Sequence, residues 1–92
     1  MYFKSEDQPS TWIENGNTQI EQKNYEKAIL YYKKALEIDP NYADVWNNLG
    51  LVYHDQNDYP EEINCYKNAL EIDPNNINAW DNLGISHQDQ NN

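Results

Sequence analysis

The stretch Ala35-Leu36-Glu37-Ile38-Asp39-Pro40-Asn41 recurs unchanged as Ala69-Leu70-Glu71-Ile72-Asp73-Pro74-Asn75, thirty-four residues further along. Seven identical residues in register are not a chance match, and others keep the same offset. Trp12, Trp46 and Trp80 are equally spaced, as are Gly16, Gly50 and Gly84. Tyr25 pairs with Tyr59, Tyr32 with Tyr66, and Leu49 with Leu83. A fixed period of this length marks a repeat architecture, in which each unit is one supersecondary motif that buries its apolar face against a neighbour.

Each unit reads as two helices. Trp46, Leu49, Gly50 and Tyr53 fall at i, i+3, i+4 and i+7, one helical face. A break follows at Asn57-Asp58. Asp58 with Glu61 three residues on has the spacing of a capping box, and Pro60 sits in the first turn, where its missing N–H costs nothing. Ile63, Tyr66, Ala69 and Leu70 form the next face, which Asp73-Pro74 ends, because a residue before proline avoids the α region. The first unit repeats this over Ser10–Gln22 and Asn24–Ile38. The third begins near Asn76 and supplies one helix by Asn92. The expectation is an all-α chain of five helices.

The glycines lie mid-helix, where each costs about 1 kcal/mol against alanine. A cost repeated in every unit implies close approach of the hairpin's second helix. Ala28 is the matching small residue in the first unit. Glu62 stands there in the second and predicts that its helix is splayed or tilted. The three tryptophans are expected to anchor the core, Trp46 in the central unit most of all.

Composition limits the function. The 92 residues carry six lysines, no arginine and sixteen acidic residues, for a net charge of -10 and a pI near 4.3. Nucleic-acid binding needs a basic stripe that displaces counterions, and this chain has none; anionic membrane surfaces are disfavoured likewise. Mean hydropathy is -1.09, and no run approaches the ~20 apolar residues of a spanning helix. Eight Tyr, three Trp and one Phe nonetheless argue for a folded chain, since disordered chains are poor in aromatics. Cys65 is the single cysteine, so there is no internal disulfide. The first eight residues have no signal-peptide core, and the expected compartment is the cytoplasm.

Trp46-x-x-Leu49-Gly50-x-x-Tyr53, with Tyr59, Tyr66, Ala69 and Pro74, resembles the pattern of the tetratricopeptide repeat family. The first unit resembles it at Trp12, Gly16, Tyr25, Ala28, Tyr32, Ala35 and Pro40, departing at Asn15 and Gln19. The third resembles it at Trp80, Leu83 and Gly84, with His87 in place of the aromatic. The resemblance covers residues 9–92. It implies a right-handed α-solenoid of antiparallel helical hairpins, with repeats at 9–42 and 43–76 and a partial one at 77–92, after a flexible segment at 1–8.

The resemblance also implies a site. In the family the first helices line a concave groove that takes extended peptides or helices. The corresponding residues here are Ser10, Ile13, Asn17, Ile20 and Glu21; Asp44, Asn47, Asn48, Leu51, His54 and Asp55; and Asn78, Asp81, Asn82, Ile85, Gln88 and Asp89. None is basic. The implied groove is acidic and amide-rich, with Ile13, Ile20, Leu51 and Ile85 as an apolar floor, and calls for a basic partner with apolar anchors. The family's clamp for acidic chaperone C-terminal tails has basic residues where Ile13, Asn78 and Asn82 stand. Asn17 and Asn48 keep its amides, but amides alone do not offset the desolvation of two carboxylates. Such a tail is therefore not the expected partner.

No catalytic, cofactor or metal site is expected. His54 and His87 have no ligand-spaced companions, and Asp55, Asn57 and Asp58 lack the glycine of a calcium loop. The glycines are isolated within helices and form no phosphate loop. The reading is a non-enzymatic interaction module, a monomer or weak homodimer. The alternatives are a self-assembly element pairing through the exposed last helix, or an idealised or truncated repeat without a specific partner.

Overall fold

Two short sequence signals punctuate the chain, and both act through the backbone. At Asp39-Pro40-Asn41 and Asp73-Pro74-Asn75 the aspartate is extended, with φ of -135° and -136°. Its Oδ1 accepts the N–H of the asparagine two residues on, at 3.1 Å in both copies, an Asx turn that closes the helix and redirects the chain. At the other break, Lys23 and Asn57 adopt the left-handed conformation, with φ of 58° and 63°. The Asn24 N–H then reaches the Gln19 carbonyl and the Lys23 N–H the Ile20 carbonyl; Asp58 and Asn57 repeat this with Tyr53 and His54. These are Schellman ends, which satisfy the last carbonyls of a helix.

Between these signals the computed structural model, which describes residues 8–90, forms α1 (Pro9–Glu21), α2 (Tyr25–Ile38), α3 (Ala43–Asp55), α4 (Tyr59–Ile72) and α5 (Ile77–Gln90). Among the described residues there are five helices and no strand. The expected segment at 1–8 lies outside the described residues except for Gln8. The Asp58 side chain accepts from the Glu61 N–H at 3.4 Å, and Pro60 occupies the first turn of α4. Asn76 caps α5 through the Ala79 N–H at 3.0 Å.

The chain divides into two units, residues 8–41 and 42–90. In the first, α1 and α2 form a hairpin that buries Gly16, Ala28, Tyr32, Ala35 and Leu36. In the second, α3 and α4 form the equivalent hairpin, and α5 packs on α4 and touches α3. Its core is Val45, Leu49, Val52, Tyr53, Cys65, Tyr66, Ala69 and Ala79.

The glycines do serve close approach, and the partner is a tyrosine ring. A Cβ built on Gly16 falls 2.5 Å from Cε1 of Tyr32, and one on Gly50 overlaps the Tyr66 ring equally. Because Gly50 and Tyr66 meet as tightly as Gly16 and Tyr32, Glu62 does not splay its helix. The tryptophan expectation is corrected too. Tyr32 and Tyr66 are among the largest fully buried side chains, Trp12 and Trp46 are half-buried, and Trp80 is 55% exposed. A phenol ring fills the glycine notch, whereas the indoles stay partly in solvent. Trp12 lies against Tyr31 with centroids 5.6 Å apart and carries the Lys34 ammonium 5.2 Å over its ring.

Candidate functional site

The first helix of each hairpin puts its polar residues on the face away from its partner. On α3 and α5 this exposes Asp44, Asp55, Asn78, Asp81, Gln88 and Asp89. Leu51 and Ile85 are 45% and 54% exposed, apolar side chains between carboxylates. Asn48, His54 and Asn82 are half-buried. Neither helix contains lysine or arginine. On α1, Ile13 and Ile20 are half-buried, while Ser10, Asn17 and Glu21 are exposed.

Two amides counted with the groove have internal roles. Asn47 is only 5% exposed, and its Oδ1 accepts from Nδ2 of Asn82 at 3.1 Å. The pair ties α3 to α5, so Asn47 offers a ligand no open amide. Asn17 keeps its exposure, but its Oδ1 accepts the Tyr32 hydroxyl proton. The amides thus fasten helices in addition to facing solvent.

Beneath α3 lies a polar cluster that the sequence reading missed. Glu62 is 2% exposed. The Tyr66 hydroxyl donates to its Oε2 at 3.0 Å, and Nδ1 of His54 sits 3.1 Å from both carboxylate oxygens. A carboxylate only accepts, so the ring proton belongs on Nδ1. The other ring nitrogen lies 4.0 Å from Oδ2 of Asp89 on α5. Burial, then the adjacent Glu62 charge and hydrogen bond, push the Tyr66 phenol far above the usual tyrosine range. Burial raises Tyr32 as well.

One signal in the sequence points to this cluster. Residues 17, 20 and 28 are Asn, Ile and Ala; one repeat on, 51, 54 and 62 are Leu, His and Glu. An aliphatic residue and an alanine have become an imidazole and a carboxylate together, which a contacting pair would do. The arrangement fastens α3 to α4. Cys65 is buried beside it. Among the described residues no group of three or more His, Cys, Asp and Glu side chains is placed to hold a metal ion, and no helix is long and apolar enough to cross a membrane.

Comparison with known proteins agrees with the periodicity. A stretch of 38 residues is 45% identical to Stress-induced-phosphoprotein 1 of Caenorhabditis elegans, covering 41% of this chain and 12% of that protein. Two crystal structures of MamA superpose with TM-scores of 0.90 and 0.88 over 95% of this chain, at 22% identity in both cases. The chain spans about half the length of these structures, 51% and 48%, and at this identity they show the fold alone. The TPR repeat model matches residues 16–57 and, overlapping them, 51–91. The chain therefore belongs to the tetratricopeptide repeat family.

Proposed function

We propose that this chain is a non-enzymatic cytoplasmic module that binds a basic protein segment with apolar anchors. Repeats of this family generally mediate protein–protein interaction, and the finer reading rests on the chemistry of the first helices. The observation that carries it is the pairing of exposed Leu51 and Ile85 with Asp44, Asp55, Asp81 and Asp89 on helices without a single fixed positive charge. The site we assign is the α3–α5 face; Ile13, Ile20 and Glu21 give α1 the same chemistry within its own unit. Apolar side chains of the partner would cover Leu51 and Ile85 while its lysines or arginines meet the carboxylates. Acidic segments would meet like charge across a partly desolvated surface. We take the repeats to run over 9–42 and 43–76, with a partial one over 77–92.

The test is a titration of basic, neutral and acidic peptides of matched apolar content at two salt concentrations. The basic peptide should bind tightest and lose affinity as salt shortens the Debye length from about 10 Å. An acidic peptide binding as tightly as a basic one would end this reading.

A further inference from the structure

Two copies of one hairpin separate what the fold requires from what it merely carries. On α2, Leu30 is 51% exposed, on the side away from the buried Ala28, Tyr32, Ala35 and Leu36. Within one helical turn of it stand three lysines, Lys27, Lys33 and Lys34, against the single acid Glu26. Lys27 and Lys33 are in solvent, and Lys34 is half-buried with its ammonium over Trp12. One repeat on, positions 61, 64 and 68 hold Glu, Asn and Asn in place of Lys27, Leu30 and Lys34. The α3–α4 hairpin closes its glycine notch as tightly with those residues. An exposed leucine among lysines is therefore no demand of the hairpin, and the four lysines at 23–34 leave only Lys4 and Lys67 for the rest of the chain.

The complement of this patch is on the same molecule. Within one turn of the exposed Ile85 stand Asp81 and Asp89, and within one turn of the exposed Leu51 stands Asp55, all three of them in solvent. The spacings agree. At 1.5 Å of rise per residue, Lys27 and Lys34 lie about 4.5 and 6 Å along the axis on either side of Leu30, and Asp81 and Asp89 each about 6 Å on either side of Ile85. A lysine–leucine–lysine strip thus meets an aspartate–isoleucine–aspartate strip in either direction of the helix.

We propose that the α3–α5 face takes α2 of a second copy of this chain, with Leu30 on Leu51 and Ile85 and with Lys27 and Lys34 on Asp55, Asp81 and Asp89. The proposal rests on the reading of that face given above and names its partner. The two surfaces differ, so the contact is head-to-tail and leaves one of each free for a further copy. The net charge of -10 on every copy opposes assembly, so association is weak and belongs to high concentration.

Sedimentation of the full chain over a concentration series tests this with two variants. The first, Lys27→Glu with Leu30→Asn and Lys34→Asn, installs the residues that the second repeat already folds with. The second is Asp55→Lys with Asp89→Lys. The parent's mean mass should rise with concentration, and each variant should associate about tenfold more weakly or less. The second variant makes this loss specific, because it lowers the net negative charge and general repulsion alone would let it associate more. An equal mixture of the two variants should form a heterodimer and stop there, since each keeps one intact surface; circular dichroism confirms that both are folded. A folded first variant that associates like the parent, or a mixture that stays monomeric, would overturn the proposal. A parent that stays monomeric while a basic peptide binds it overturns this proposal and leaves the groove reading standing; one that takes neither peptide nor second copy ends both. A monomeric parent whose α2 patch binds an acidic peptide, lost in the first variant, also overturns it, by giving α2 to another protein.

Discussion

The Tyr66 hydroxyl donates to Glu62, one turn back on its own helix, whereas its counterpart Tyr32 donates across the hairpin to Asn17. The two hairpins satisfy the same buried hydroxyl from opposite sides. Position 51 is thereby released from holding an acceptor, and it is an exposed leucine. Glu62→Ala, which installs the residue found at position 28, should cost about 1–3 kcal/mol by leaving the Tyr66 hydroxyl without a partner. Adding Leu51→Asn should restore part of that loss. Denaturant unfolding of the single and double variants measures the coupling; strict additivity would show that the acceptors are not interchangeable.

High pH should unfold the protein through its core tyrosines. Tyr66 and Tyr32 hold their protons in the fold above the ordinary value of 10.0. The folded state therefore binds more protons than the unfolded one once pH exceeds the unfolded pKa. Their contribution is complete below about pH 10 and is lost progressively as pH rises above it. Tyr66→Phe should flatten this alkaline slope. Ultraviolet titration should show these two phenols ionising only with unfolding.

Substituting the large aromatics should rank them by burial. Tyr66→Ala, at a side chain 1% exposed, should cost about 3–5 kcal/mol. Trp80→Ala should cost less than about 1.5 kcal/mol, since the indole is largely in solvent and loses chiefly its bond to the Pro74 carbonyl. Amide exchange should be fastest in α5, which packs on one side only. Equal costs at the two positions would contradict the tyrosine-centred core.

Relief of backbone strain should be visible at one turn. Lys23 holds φ of 58°, a region that disfavours residues with a Cβ and suits glycine at a helix end. Lys23→Gly should stabilise the chain by about 0.5–1 kcal/mol. Asn57→Gly should give less, because asparagine tolerates this region. Thermal melts of the two variants compare them directly.

At the proposed peptide face, charge and apolar contact should separate. Asp55→Lys with Asp89→Lys should weaken a basic peptide by a few-fold to tens-fold, mostly through slower association. Leu51→Ser with Ile85→Ser should weaken it without altering the salt dependence. Stopped-flow binding at two salt concentrations distinguishes the pairs.

The period, the five helices and their breaks were legible because each rests on local chemistry: an Asp-Pro stop, an Asn-Asp turn, a glycine in every first helix. The ring that fills each glycine notch was not, because Tyr32 and Tyr66 read equally well as general core residues. The tryptophans misled for a related reason. Their spacing announces the repeat, but the spacing is silent on which side of an indole meets water. The Glu62 cluster was hidden because a charged residue in a helix normally faces solvent, and burial is decided by partners eight residues before it and four after. The assignment of groove residues from the family resemblance includes Leu51 and Ile85, both of them exposed. It had no means to see that Asn47 and Asn82 would bond each other.

The alternating placement of the tyrosine's acceptor sets the smallest piece of this chain that can be recombined. Exchange of whole hairpins carries each acceptor along with its tyrosine. Exchange of single helices does not: α3 joined to α2 would set the apolar Leu51 and Ala28 around Tyr32 in place of its Asn17 acceptor, while α1 joined to α4 would bring both Asn17 and Glu62 to Tyr66 and put Ile20 where the buried Glu62 has His54. Shuffling between these units therefore has its safe crossover at the Asp-Pro-Asn turns, and a crossover at the Lys23 or Asn57 turn would split a set of residues that only works intact.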